Sequence, residues 1–209
     1  MSDLQKASQK ALEFRRREAD ILLKAQELFI AHGEDKVTVE MIADGVGIGK
    51  GTIYKHFESK DEIYLRLMIR YEEELSDVFR KLDGGVGEDR ARLAKEYFNF
   101  RLADPERYAL FDRLEHKLTN TTSCPDLVEK LHETRGSNME ILTTIVDSRI
   151  AEGKLQDVPA YFHVFAAWAL AHGAVALHHS KFYSEMIENK EEFFDFLAEI
   201  GVRMGNKRK

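Results

Sequence analysis

The stretch GIGKGTIYKHFESKDEI, residues 47–63, concentrates side chains that donate hydrogen bonds to anions. Lys60 falls in the first turn of a predicted helix, where the helix dipole and the free backbone N–H groups favour an anion over a lysine. A bound phosphate would reverse that sign, and Tyr54 and His56 supply further donors within about one turn. The stretch therefore indicates a surface that binds phosphates.

Glycine is frequent in the same stretch, although it costs about 1 kcal/mol relative to alanine inside a helix. Gly47 follows a short amphipathic segment and is predicted to end it in the left-handed conformation, and Gly49 opens the next helix. On a helical wheel, Ile53 points toward the core, while Gly51 and Lys55 lie at the centre of the opposite face. A glycine there removes the side chain that would hold a partner surface away. We therefore expect a very close approach at Gly51.

The rest of the chain has the pattern of successive amphipathic helices. Apolar residues recur at intervals of three and four, no segment sustains a period of two, and only three prolines occur. The glycine-rich sequence DGGVGED at 83–89 predicts a break. The predicted helices cover about 11–31, 38–46, 49–57, 59–82, 88–103, 106–119, 125–152, 158–181 and 185–204. We predict an all-α fold.

Capping residues support these limits. Thr38 is a good N-cap, Gly33 follows the first helix as a C-terminal cap, and Ser59 to Glu62 has the pattern of a capping box. The fourth helix is about 36 Å long at about 1.5 Å per residue. The pattern predicts an N-terminal three-helix domain, residues 1–60, joined by this helix to a helical bundle, residues 61–209.

Predicted helices two and three, with the tight turn between them, have the dimensions of a helix-turn-helix, whose second helix enters the DNA major groove. The net charge is −6, yet residues 1–60 carry ten Lys or Arg and ten Asp or Glu, whereas residues 61–209 carry 21 and 27. If nucleic acid is bound, the N-terminal part binds it. Arg15, Arg16 and Arg17 could add phosphate contacts or could form an ordinary solvated face.

The same region resembles the DNA-binding signature of the TetR (tetracycline-repressor-like) family. The match has no gap over residues 38–63 and rests on Thr38, Ile42, Ala43, Gly47, Lys50, Gly51, Thr52, Ile53, Tyr54, His56, Phe57 and Lys60. Two positions depart from the pattern. Val46 stands where alanine is usual, and Gly49 stands where a serine or threonine hydroxyl commonly contacts phosphate.

The resemblance implies a homodimer that binds a palindromic operator in double-stranded DNA, usually as a repressor, and releases it when a small molecule enters the bundle. It implies four phosphate-binding residues: Thr38, Tyr54, His56 and Lys60. It implies four residues that face base edges: Lys50, Gly51, Thr52 and Lys55. A packing role for Tyr54 and His56 is the alternative.

Aromatic and thioether side chains are frequent in the predicted bundle, and most of them must form its core. A cavity between helices would be lined by the same kinds of side chain, with a few polar ones to orient a ligand. The predicted lining residues are Tyr71, Phe98, Phe111, Leu114, Met139, Trp168 and His172. Because these are mostly apolar, we expect a lipophilic or aromatic effector.

The last two predicted helices are candidates for a dimer surface. Residues 166–177, AAWALAHGAVAL, are small enough to let helices approach closely, and large apolar residues recur at helical spacing over 193–204. Such helices could instead be buried within one chain, but the family resemblance favours the dimer. The predicted interface residues are Ala169, Gly173, Ala176, Phe193, Phe196, Leu197 and Ile200.

Catalysis, a cofactor and a membrane segment are not expected. A metal-dependent enzyme is the alternative, but no HExxH motif and no Cys/His cluster occurs. Its candidate ligands are His163, His172, His178 and His179 on one predicted helix and His116 and His132 on others. The longest uncharged apolar run, Val164–Leu177, has 14 residues, short of the roughly 20 that cross a bilayer. The N-terminus has no apolar secretion segment, so we expect a cytoplasmic protein.

Overall fold

The structure is a computed structural model that describes residues 3–83, 90–118 and 123–207. Within these ranges the chain forms helices and one isolated bridge between Leu155 and Asn206, so the all-α prediction is confirmed. The helices are α1 (Asp3–His32), α2 (Val39–Val46), α3 (Lys50–Ile53), α4 (Lys60–Asp83), α5 (Arg90–Leu102), α6 (Pro105–Leu118), α7 (Pro125–Ala151), α8 (Ala160–His179), α9 (Lys181–Ser184) and α10 (Lys190–Arg203). The predicted break at 83–89 lies, apart from its first residue, outside the described residues.

The chain divides into two compact units. The first unit comprises Met1–Ile69 and Leu110–Glu129, and the second comprises Arg70–Ala109 and Lys130–Lys209. Helix α4 begins in the first unit and ends in the second. The predicted limits of the functional domains stay a prediction.

The first unit is built on the apolar faces that the helical periodicity predicts. Ile53, the predicted inward position of α3, is 1% exposed, and Phe57 after the helix is buried to the same extent. The rings of Phe29 and Tyr64 pack with their centroids 5.1 Å apart, joining α1 to α4. Burial of one such side chain contributes about 1.5–3 kcal/mol. These faces therefore hold α1 to α4 together as one core.

Capping bonds define the ends of α2 and α4. The Thr38 hydroxyl accepts a hydrogen bond from the Met41 N–H at 3.2 Å. Gly47 ends α2 at φ 71°, the left-handed conformation that was predicted for it. Ser59 Oγ accepts from the Glu62 N–H at 3.1 Å, whereas the Glu62 carboxylate accepts from the Glu58 N–H at 2.7 Å, one residue before the expected position. The capping box is thus formed with a shifted second bond.

Three helix limits differ from the prediction. Helix α3 has four residues instead of nine, because the chain leaves the regular helix after Ile53, although Phe57 still donates its N–H to the Ile53 carbonyl at 2.9 Å. Helix α1 begins at Asp3 rather than near residue 11. Helix α10 begins only at Lys190, because Asn189 is its N-cap and accepts from the Glu192 N–H at 3.1 Å. The short helix α9 precedes it.

A buried polar cluster joins α4 to α7 in the second unit. Ser76 Oγ donates to Asn138 Oδ1 at 2.6 Å, and the Asn138 amide donates to the backbone oxygen of Glu72 at 3.1 Å and to its carboxylate at 3.2 Å. Arg135 pairs with the same carboxylate at 3.3 Å. Because these buried groups satisfy one another, the cluster fixes the register of α4 against α7.

Helix α8 is the one helix in the described ranges that is long and apolar enough, by length and composition alone, to cross a membrane. It exceeds the 14-residue run noted in the sequence because Ala160–His163 extend it at the start and His178 and His179 extend it at the end. Only 17% of its most apolar window is buried, and the buried residues include Ala171, Ala174 and Val175 in the core of the second unit. Its other face is exposed.

Gly201 on α10 allows the ring of Phe98 on α5 to pack against the helix backbone, because a Cβ at this position would overlap the ring. We expect Gly201→Ala to lower the free energy of unfolding by about 1–3 kcal/mol, the usual cost of overpacking. Gly136→Ala is the control: its Cβ would meet no atom within 4 Å, so it should stabilise α7 by about 0.5–1 kcal/mol. Urea denaturation of both variants checks the pair, and equal effects would contradict the packing argument.

Candidate nucleic-acid interface and bundle cavity

The turn between α1 and α2 is held by the first two turns of α4. Lys60 Nζ donates to the backbone carbonyls of Glu34 at 2.8 Å and Val37 at 3.0 Å, and the Tyr64 hydroxyl donates to the Glu34 carbonyl at 3.0 Å. Burial lowers the pKa of the Lys60 ammonium, with a smaller effect from the charge of Lys117, and burial raises the pKa of Tyr64. These bonds position the start of α2 and hence the helix-turn-helix.

Two ion pairs from α6 reach the same turn within the first unit. Arg113 Nε lies 3.0 Å from a carboxylate oxygen of the buried Glu34. Lys117 pairs with Asp35, and its hydrogen bond lowers the pKa of that carboxyl. The turn is therefore bonded through its backbone by α4 and through its side chains by α6.

Helix α3 presents the face that was predicted to contact bases. Gly51 and Lys55 are exposed, and a Cβ built on Gly51 would meet no atom within 4 Å. Lys50 pairs with Glu40 on α2, which raises the pKa of its ammonium, and its Nζ lies 5.9 Å from the ring centre of Tyr54. The packing of the free chain gives no reason for a glycine at position 51.

The predicted phosphate-binding residues divide into two groups. Tyr54 is 49% exposed and Thr38 is also exposed, although the Thr38 hydroxyl already caps α2. Lys60 uses two donors on backbone carbonyls, so its position at a helix N-terminus is compensated without any phosphate. The contact of Lys60 with DNA stays a prediction. The unfavourable position of a lysine at a helix start does not support it, because the two carbonyls already compensate the charge.

His56 lies in an open groove between α1 and α3. Its ring packs on Phe14 with the centroids 4.0 Å apart, and its Nδ1 is buried without a hydrogen bond to the described residues. The groove has a volume of about 450 Å³. Its lining residues are Lys10, Glu13, Phe14, Arg17, Ile48, Gly49, Thr52 and His56. The contact with Phe14 was not predicted, because 42 residues separate the two rings along the chain.

A cavity of about 110 Å³ lies within the second unit. It is mostly apolar and is lined by Ala94, Tyr97, Phe98, Leu142, Ile145, Val146, Arg149, Leu155, His163, Val164, Ala167, Gly201, Val202 and Met204. Of the seven residues predicted for an effector pocket, Phe98 lines this cavity.

The other six predicted pocket residues lie elsewhere. Phe111 and Leu114 are buried in the first unit. Tyr71 lies under two guanidinium groups, with its ring centre 5.1 Å from Arg101 and 5.0 Å from Arg107. The remaining three are Trp168 and His172, whose rings pack 5.7 Å apart, and the half-buried Met139.

The predicted dimer residues lie on α8 and α10, which pack against each other. Four of them are exposed in the single chain: Ala169, Ala176, Phe196 and Ile200. Three are half-buried: Gly173, Phe193 and Leu197. The two helices thus present apolar side chains to solvent.

The four histidines of α8 do not converge on one point. His163 donates from Nε2 to the Gln156 carbonyl at 3.0 Å at the start of the helix, whereas His172 packs against Trp168 near its middle. His178 and His179 lie together at its end, with ring centres 4.9 Å apart. The set predicted for the alternative metal-dependent enzyme is therefore divided.

Two family models match most of the chain. The model for bacterial regulatory proteins of the tetR family matches residues 21–67, and the model for the tetracyclin repressor-like C-terminal domain matches residues 91–200. The second match alone covers more than half of the 209 residues.

Curated relatives and solved structures agree with these models. The HTH-type transcriptional activator FasR of Mycolicibacterium smegmatis is 31% identical over 97 residues, which are 45% of this chain and 44% of FasR. The fatty acid metabolism regulator protein of Bacillus subtilis is 24% identical over 143 residues, 66% of this chain and 70% of that protein. The chain thus spans less than half the length of FasR.

The fold is also that of a bacterial regulatory protein in the tetR family from Rhodococcus RHA1, with a TM-score of 0.72 and 15% identity over 92% of this chain and 98% of that one. The two family models match the helix-turn-helix around α2 and α3 and most of the helical second unit. The chain belongs to the tetR family of bacterial regulatory proteins.

Proposed function

We propose that this regulator binds a palindromic operator as a homodimer, represses transcription from it, and releases it when a lipophilic or aromatic molecule binds the second unit. It acts in the cytoplasm and catalyses no reaction. The observation that carries the proposal is the exposed Gly51 on the outer face of α3, at a position where no neighbour in the chain requires a glycine. A glycine there lets a partner surface approach the helix closely, and the family's partner is DNA.

The division of roles follows from chemistry and position. Lys50, Gly51, Thr52 and Lys55 face base edges, because they occupy the outer face of α3 and its continuation. Lys50 would exchange Glu40 for a base acceptor, a change that costs little because both side chains are about half exposed. Thr38, Tyr54, His56 and Lys60 hold phosphates at the edges of that face, and Arg17 in the adjacent groove adds a cation.

A homodimer explains the exposed apolar side chains of α8 and α10. Phe196 is 56% exposed and Trp168 is 48% exposed, an arrangement that burial against a second copy would remove. Two helices from each subunit would form an interface in which the same patch is used by both partners. Such a dimer would place two copies of α3 about 34–36 Å apart, or a multiple of it, to reach successive major grooves.

The cavity of the second unit supports a lipophilic effector. Its lining is mostly apolar, and one relative is named as a regulator of fatty acid metabolism. Its volume of about 110 Å³ is below the roughly 300–1,000 Å³ of most ligand pockets. A ligand larger than a few atoms would therefore select a more open arrangement of α5, α7, α8 and α10.

Helix α4 provides a route for the response. It is continuous from Lys60, which holds the turn before α2, to Ser76, whose hydroxyl is bonded to Asn138 of α7. A ligand that displaces α7 would therefore bias the position of α4. A coupling of about 1–3 kcal/mol would weaken operator binding about 5–150-fold, and operator would weaken ligand binding equally.

Gly51→Val should lower operator affinity by at least about tenfold, because one lost base contact of about 1.4 kcal/mol has that effect. The free protein should unfold at an unchanged temperature, since a Cβ at this position meets no neighbour. The operator is first selected from random duplex DNA with the wild-type protein, which also shows whether it is palindromic. Affinity is then measured by fluorescence anisotropy, and normal binding by the variant would contradict the close approach.

Phe196→Asp should convert the dimer to monomers that bind the operator poorly, because a buried unpaired charge opposes the interface. Ser137→Asp is the control, since it adds the same charge at an exposed position of α7 in the same unit. Sedimentation at micromolar concentration reports the assembly. A wild-type monomer that binds the operator tightly would disprove the dimer.

Ala167→Phe should lower the affinity for a lipophilic ligand at least about tenfold, because the added ring occupies the small cavity. Ala151→Phe adds the same ring at an exposed position of α7 and should leave ligand affinity unchanged. Titration of fatty acids and aromatic compounds, followed by Trp168 fluorescence, measures the effect. If ligands bind both variants and the wild type equally, the effector site lies elsewhere.

A further inference from the structure

Three side chains that commonly bind metal ions meet in the second unit, where α6 begins and α8 ends. They are Glu106, His178 and His179, and one ligand atom from each lies within 4.8 Å of the other two. Glu106 Oε1 lies 3.7 Å from His178 Nε2 and 3.8 Å from His179 Nδ1. More than 70 residues separate the glutamate from the histidines in sequence, so the fold creates this cluster.

These distances are too long for direct hydrogen bonds, which place nitrogen and oxygen about 2.7–3.2 Å apart. They are close to the separation of ligands that share one ion. Zinc binds nitrogen at about 2.0–2.1 Å and carboxylate oxygen at about 2.0–2.2 Å, so tetrahedral ligands lie about 3.3–3.5 Å apart. Moving Glu106 Oε1 a few tenths of an ångström toward each nitrogen would give this separation, and the two histidine nitrogens, which lie within 4.8 Å of each other, would adjust to it as well.

The two imidazole rings are already oriented to bind an ion. His179 Nε2 lies 3.2 Å from the Pro105 carbonyl, which can only accept, so Nε2 carries the proton and the Nδ1 lone pair faces Glu106. Histidines that bind metals generally donate their other ring N–H in this way. The ring of His178 is held instead by packing on Phe194, with the centroids 5.6 Å apart.

The ligands also suit a cation chemically, because neutral imidazole is the commonest metal ligand in proteins. Glu106 is exposed and supplies a negative charge.

We propose that Glu106, His178 and His179 bind a divalent transition-metal ion of the zinc type, with one position open to water. Two imidazoles and one carboxylate favour Zn²⁺, Co²⁺ or Ni²⁺ over Mg²⁺ and Ca²⁺, which prefer ligands that are all oxygen. The ion would join the start of α6 to the end of α8. The site shares no residue with the operator and effector sites proposed above.

The test uses tag-free, chelator-treated protein and calorimetric titration with Zn²⁺ and, separately, Mg²⁺. We expect one Zn²⁺ per chain, no detectable Mg²⁺, and a rise in unfolding temperature with Zn²⁺. Glu106→Gln and His179→Gln should each weaken Zn²⁺ binding by at least about tenfold, since even the loss of an outer partner costs about 10–100-fold. Both positions are exposed or nearly so, and thermal unfolding in chelator verifies their fold.

His132→Gln is the matched control, because it removes an exposed histidine from α7 in the same unit. Its Zn²⁺ affinity should equal that of the wild type. The visible absorption of bound Co²⁺ should indicate a four-coordinate site with nitrogen and oxygen ligands, and Glu106→Gln should change it. The site is disproved if the wild type takes up no Zn²⁺, or if the control weakens binding as much as the ligand variants do.

Discussion

The first unit depends on the hydrogen bonds that α4 donates to the turn between α1 and α2. Lys60 and Tyr64 together satisfy backbone carbonyls of Glu34 and Val37, and a charged donor makes such bonds stronger than neutral ones. Helix α3 has only four residues and could not persist alone, because one helical turn is far below the length at which isolated helices are stable. The geometry of α3 therefore depends on the residues packed around it. That packing depends in turn on the α1–α2 turn, which α4 holds.

Much of the fold could be predicted from the sequence, because the predictive residues act locally. Thr38 and Gly47 bound α2 through bonds and dihedral angles within a few residues, and both have the predicted conformation. The predicted helix limits are wrong where distant residues or competing local hydrogen bonds determine where a helix begins or ends. Asn189 caps α10 and delays its start, and α3 ends early although its amphipathic pattern continues to Phe57.

The sites were harder to predict, because their chemistry depends on partners far along the chain. Lys60 is identified by its place at a helix start, but the two carbonyls that compensate its charge come from the preceding loop, which the wheel of its own helix does not include. Ala167 and Val202 are among the residues that line the cavity. Alanine and valine are equally common in an ordinary core, so their residue types do not identify a cavity. Glu106 has no neighbouring histidine in sequence, and only the packing of α6 against α8 makes it a ligand candidate.

The exposed face of α8 has a consequence for the life of the newly made chain. A helix of this apolarity that is only slightly buried leaves a single copy of the chain prone to nonspecific association during synthesis. If the chain forms the proposed homodimer, mass action links its folding to its abundance, because a partner that binds only the folded form raises stability with concentration. Dilute protein should then be the most sensitive to proteolysis. The amount of regulator in a cell would thereby set its lifetime as well as its occupancy on DNA.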